Sequence, residues 1–236
     1  LADKLAWHEA LPLAGRKILI TRPKDRISKM AEKLRREGAE VLELPAIRTE
    51  AIKENQKLKT CLEQITSYDW IVFTSPNGVQ IFFENMAENE VDIRKFAAAK
   101  FAVIGDGSEK ELKKHGIQAD LKPEVFDGEH LGSSLAGICA GGERILIPRA
   151  EAANQELITE LQKVAKVQID DVPTYRTLYK TSELIDQRAE FEQGKIDFAV
   201  FTSASTVRGF AQATKGLDFS LVRAVCIGKQ TKQAAD

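Results

Sequence analysis

Four short segments of this 236-residue chain carry hydroxyl and amide groups in a pattern suited to holding anions. Thr74-Ser75-Pro76-Asn77-Gly78 follows an apolar, β-prone run and precedes an amphipathic one, and Thr202-Ser203-Ala204-Ser205-Thr206 does the same later in the chain. Serine is a strong helix N-cap and proline suits the first helical position. Each segment should therefore open a helix whose free N–H groups and positive dipole end favour a carboxylate or phosphate. Gly105-Asp106-Gly107-Ser108 opens a further helix after a strand, and Gly228-Lys229-Gln230-Thr231 is its counterpart. Glycine at such places lets the backbone approach a ligand closely. Arg22 and Arg149 each follow a first strand, at equivalent positions. Taken singly, Ser75 and Ser203 serve as helix caps, and an arginine at a strand's end serves a salt bridge as well as it serves a ligand. Taken together, they suit a large polyanion, with catalysis by positioning and electrostatics.

Other chemistries lack their motifs. A dinucleotide fingerprint would need glycine at position 110, where Lys110 stands, and neither a GxxxxGK[ST] phosphate loop nor a GxSxG nucleophile turn occurs. Cys61, Cys139 and Cys226 are far apart and odd in number, which speaks against a disulfide framework and for a reducing cytoplasm. His8, His115 and His130 show no ligand spacing with them, so no metal site is expected. Lys and Arg total 34 against 35 Asp and Glu, a net charge of -1 that argues against wholesale binding to nucleic acid or membrane. A hydrophobic content of 43% is ordinary for a soluble globular chain. There is neither a membrane-crossing run nor a signal-peptide pattern.

The elements that must position these groups repeat. DWIVFTSPNGVQIF from Asp69 and DFAVFTSASTVRGF from Asp197 share seven of 14 positions. GRKILITRP from Gly15 pairs with GERILIPRA from Gly142, and the segment ending at Ser108 pairs with the one ending at Thr231. Three matches in one order, near one offset, indicate a duplicated domain-sized unit. KILIT (17–21), WIVFT (70–74), FAVIG (101–105), ILI (145–147), FAVFT (198–202) and VCIG (225–228) read as strands buried on both faces. After the first of them, Ile27–Glu37 has the spacing of an amphipathic helix, ending at Gly38 as C-cap. Strand–helix alternation predicts two α/β domains with parallel, flavodoxin-like sheets. ELPAIRTE (43–50) and DDVPTYRT (170–177) hold Pro45 and Pro173 inside β-prone runs, and are expected to be edge or connecting strands between the domains.

ILITRP (18–23), FTSPNGV (73–79), VIGDGS (103–108), PRAE (148–151), VPTYRT (172–177), VFTSAS (200–205) and IGKQT (227–231), in this order, make the chain from Gly15 onward resemble uroporphyrinogen-III synthases. The resemblance implies two α/β domains joined by a two-stranded antiparallel connector. The first domain would be residues 15–43 with 177–236, the second 51–167, and the connector strands 44–50 and 168–176. It implies cyclisation of hydroxymethylbilane to uroporphyrinogen III, with loss of water and inversion of ring D through a spiro intermediate, and no metal or organic cofactor. It places Tyr175 as the group assisting departure of the hydroxyl; a half-buried aromatic packing the hinge is the other reading of that residue. It places Ser75, Ser108, Ser203 and Thr231 along the substrate cleft; Arg22, Thr74, Asn77, Gly105, Gly107, Arg149, Thr202, Ser205 and Gly228, from the same strand ends, are the further substrate-binding candidates. Lys229 departs from the small or apolar residue the family pattern carries there.

Residues 1–14 resemble the tether that joins a uroporphyrinogen-III methyltransferase to a synthase in fused proteins, so a fused or interacting methyltransferase is expected beside an otherwise monomeric domain. The second repeat, from Gly142, lacks counterparts of Glu109 through Ala140, which predicts a natural end beyond Asp236. The rival function is a two-lobed binding protein for a small or polycarboxylate anion, without turnover. A flavodoxin-like signalling module is disfavoured, because no acidic cluster follows a first strand.

Overall fold

A computed structural model of the chain describes residues 11–21, 24–44, 46–164, 166–179, 191, 195–218, 220 and 222–236. In chain order its elements are β1 (Lys17–Ile20), α1 (Lys24–Arg36), β2 (Glu40–Glu43), β3 (Ile47–Ala51), α2 (Gln56–Glu63), β4 (Trp70–Phe73), α3 (Pro76–Glu88), β5 (Lys100–Val103), α4 (Asp106–Lys114), α5 (Gly128–Ala136), β6 (Arg144–Ala150), α6 (Glu156–Leu161), β7 (Gln168–Tyr179), β8 (Phe198–Phe201), α7 (Ala204–Ala213), β9 (Arg223–Cys226) and α8 (Lys229–Ala235). They form two compact units, Leu1–Thr49 with Thr177–Asp236, and Glu50–Arg176.

The first unit is built on a four-stranded sheet in the order β2-β1-β8-β9, parallel throughout. The second is built on the order β3-β7-β6-β4-β5, parallel from β7 to β5. The repeat explains the likeness. By the sequence matches β1 corresponds to β6, β8 to β4 and β9 to β5, so both sheets place corresponding strands side by side. Strands buried on both faces need apolar runs without alternation, and Trp70–Phe73 is buried at every position.

Most repeated identities serve this scaffold. Asp197 Oδ2 accepts the Lys17 amide at 2.8 Å, and Asp69 Oδ2 accepts the corresponding Arg144 amide at 2.8 Å. Each aspartate thus ties the amino end of a central strand to its neighbour, and the Lys17 amide holds the Asp197 carboxyl below its usual range. Phe73 packs edge-on against Phe82 at 5.4 Å, and Phe201 against Phe210 at 5.2 Å. Val79 and Val207 are buried in the same two cores as these pairs.

α1 begins three residues before the expected start and ends at Arg36. Gly38 follows with φ of 93°, the left-handed conformation that glycine adopts readily at a helix's end. Pro173 does not lie on an edge strand, since β7 sits between β3 and β6. The strand tolerates it because the β6–β7 register shifts just there: Pro173 faces Arg149, Tyr175 faces Ala150, and Thr174 is the additional residue of a β-bulge. Pro45 lies outside the described residues.

Candidate functional site

The bulge decides where Tyr175 goes. Without the additional residue Thr174 would face Ala150, and the tyrosine would be one position out of phase. The backbone around it is tied on both sides, with the Ile52 amide donating to Thr174 O and the Glu151 amide to Tyr175 O, both at 2.9 Å. The Asn55 side chain donates to Pro173 O at 2.6 Å, and Thr174 Oγ1 to Arg149 O at 3.3 Å. So held, the tyrosine is buried, and its phenol oxygen lies 2.6 Å from Ser75 Oγ.

Ser75 is the N-cap of α3: its side chain accepts the Gly78 amide at 2.9 Å, with Pro76 opening the helix. Gly78 is needed for the approach. A Cβ there would stand 3.0 Å from Pro148 O, 3.3 Å from Ser75 Oγ and 4.0 Å from Tyr175 Cε1. The head of α3, the carboxyl end of β6 and the bulge of β7 meet at this point. Ligands of open parallel sheets bind at this end of the strands.

α4 starts beside it, since a Cβ on Gly107 would lie 3.2 Å from Pro76 Cγ. Its N-cap, Gly105, makes no side-chain cap, and its backbone is ordinary extended chain. The room a side chain would need there is filled by the exposed aromatic Phe126, 3.0 Å from the Cβ position. Ser108, two residues into that helix, is 1% exposed and its Oγ has no hydrogen-bond partner. A buried hydroxyl without a partner is rare.

Arg149 resolves differently. It is 3% exposed and forks onto Asp171, Nε to Oδ1 and Nη2 to Oδ2 at 2.7 Å each, while Nη1 donates to Asn154 O at 2.6 Å. The salt bridge open to it is formed, within its own unit. Thr74 and Asn77 are half-buried beside Ser75. The sequence patterns missed Thr174, Asp171 and Phe126. The only local signal was Pro173, whose lack of an N–H favours a bulge.

The first unit repeats the cap with other partners. Ser203 heads α7 in a capping box with Thr206, and its Oγ lies 2.9 Å from Ser205 Oγ. Thr231 is buried in α8, and Gly228 has open space around its Cβ position. Arg22 lies outside the described residues.

A second tyrosine shows what is particular about the first. Tyr68 donates to Asp170 Oδ2 at 2.6 Å, and Arg144 pairs with that same oxygen and stands over the ring. Burial and the carboxylate drive the Tyr68 phenol far above its usual range, so its proton is captive. Tyr175 faces a hydroxyl, which can accept a proton or give one. Among the described residues no group of His, Cys, Asp and Glu could hold a metal ion, and no helix is long and apolar enough to cross a membrane.

The model of the family described as uroporphyrinogen-III synthase HemD matches residues 28–236. A porphyrin biosynthesis protein HemD of Ruminiclostridium josui is 38% identical over 235 residues, 100% of this chain and 46% of that protein. The chain thus spans about half the length of that relative. The uroporphyrinogen-III synthase of Synechococcus elongatus is 30% identical over 227 residues, 93% of this chain and 85% of that one. A crystal structure of a mutant uroporphyrinogen III synthase from the extreme thermophile Thermus thermophilus is similar with a TM-score of 0.64 at 18% identity, covering 93% of this chain and 87% of that chain, a likeness of fold. With a family model across most of its length and a relative matched nearly end to end, the chain belongs to the uroporphyrinogen-III synthase family.

Proposed function

We propose that the chain is a uroporphyrinogen-III synthase, a hydro-lyase that closes linear hydroxymethylbilane into uroporphyrinogen III with loss of water. The reading rests on family membership, and the observation that carries it to a residue is the 2.6 Å contact of Tyr175 with Ser75 at the carboxyl end of the sheet. Tyr175 gives a proton or hydrogen bond to the departing hydroxyl. The electron pair of the adjacent pyrrole nitrogen leaves an azafulvene cation, and the substituted carbon of ring D attacks it to form a spiro intermediate. That intermediate fragments and recloses with ring D inverted, and the proton released on rearomatisation balances the one spent at the start. The pyrroles supply the electrons at every step, so the scheme calls for neither a redox group nor an electron sink. The substrate's carboxylates are held by helix heads, with the unpartnered Ser108 hydroxyl as one donor. We place the enzyme in the cytoplasm, with a uroporphyrinogen-III methyltransferase as its fused or interacting partner.

The test supplies freshly made hydroxymethylbilane and separates the oxidised products by isomer. The type III isomer is expected in excess. Type I alone, from folded protein, would leave the two-lobed binding protein as the better reading.

A further inference from the structure

The groups at the head of α3 form a chain of two hydrogen bonds, of which the first has a fixed direction. The Gly78 amide can only donate, and it donates to Ser75 Oγ at 2.9 Å. The same Oγ lies 2.6 Å from the phenol oxygen of Tyr175. A hydroxyl that accepts a hydrogen bond becomes a better donor. The positive end of the helix also favours an orientation in which the Ser75 oxygen faces the helix and its proton points away, toward the phenol.

We propose that Ser75 is a positioning residue for catalysis: it donates to the phenol oxygen of Tyr175 and directs the phenol's own proton to the leaving hydroxyl of the substrate. This rests on the reading of the chain as a synthase with Tyr175 as the acid. In the step the Tyr175 O–H bond and the substrate C–O bond break together, and the C–O electron pair leaves with the oxygen as water. The phenolate is stabilised by the Ser75 hydrogen bond until the proton released on rearomatisation returns to it.

The repeat provides an internal control. Ser203 caps α7 as Ser75 caps α3, yet Ser203 Oγ meets Ser205, and Thr206 stands where the other unit has Gly78. Capping therefore does not require a tyrosine. A Cβ at position 78 would crowd Pro148 O at 3.0 Å and Ser75 Oγ at 3.3 Å, and would meet the Tyr175 ring at ordinary contact distance. The glycine and the Thr174 bulge together make room for a contact that capping alone does not need.

The test measures kcat, KM and thermal midpoint in the full chain with fresh hydroxymethylbilane. Ser75→Thr keeps the acceptor and the O–H, and should keep kcat within about threefold. Ser75→Asp keeps the cap, since aspartate ranks with serine there, but has no proton to give and turns the phenol toward itself. Its midpoint should stay near that of the parent while kcat falls about tenfold or more. Should that variant not fold, Ser75→Ala, assayed below its midpoint, should lose about five- to tenfold in kcat. A stable Ser75→Asp with kcat within twofold of the parent overturns the proposal, as does a Ser75→Thr that loses as much kcat as Ser75→Asp. An inactive parent would instead sink the synthase reading, and an active Tyr175→Phe would sink the role of the tyrosine.

Discussion

Breaking the Arg149–Asp171 pair from its two sides should have unequal costs. Asp171→Ala leaves a guanidinium whose side chain is 3% exposed without its carboxylate, whereas Arg149→Met leaves a carboxylate whose side chain is 34% exposed and can regain water. Stranding a buried charge costs about 3 to 5 kcal/mol. Losing the arginine, with methionine filling much of its stem, costs about 1 to 2 kcal/mol, chiefly through the Asn154 carbonyl that loses a donor. With a urea slope near about 2 kcal/mol/M, the midpoint should fall by about 2 M for Asp171→Ala and by about 0.5 to 1 M for Arg149→Met. The double variant should be no less stable than Arg149→Met alone, since the aspartate has nothing left to neutralise. KM for the bilane should be unchanged in Arg149→Met. Equal single costs, additive costs in the double variant, or a raised KM with unaltered stability would refute the structural role and return Arg149 to the ligand.

Gly78→Ala places a methyl group 3.0 Å from Pro148 O and should cost about 1 to 3 kcal/mol in a denaturant titration while lowering kcat; an unchanged midpoint would contradict the close approach. Ser108→Ala removes a buried hydroxyl that has no partner, so stability should hold or rise by up to about 1 kcal/mol while KM increases several-fold; lower stability with the same KM would count against a ligand role. His115 stacks on Phe83 at 3.9 Å, and partial burial holds its pKa below the usual value of about 6.5. The folded state then binds fewer protons than the unfolded one, so stability should fall as pH drops from about 7 toward 5. His115→Phe keeps the stack and should flatten that part of the profile; equal slopes would contradict it.

The scaffold was legible because it is written locally and written twice. Apolar runs without alternation specify parallel strands, and Ser75 and Ser203 announce helix starts in their own neighbourhoods. The repeated aspartates and phenylalanines proved to be scaffold as well, tying strand ends and packing edge-on in both units. What escaped depends on register between distant segments. Asp171 reaches Arg149 only because β7 lies beside β6, and the bulge at Thr174 exists only relative to that partner. Ser75 and Tyr175 are 100 residues apart in the chain, and no periodicity links them. Gly105 is packed against Phe126, from a loop that no pattern placed there.

The initial rate of type III isomer formation by the full chain and by Tyr175→Phe, at saturating hydroxymethylbilane and with both proteins folded, tests the chemistry most directly. Loss of the proton donor should slow the variant by about 10²- to 10⁴-fold, as removal of a general acid does. Equal rates in parent and variant would contradict an account in which the bulge, the glycine and the helix cap all serve to place that phenol.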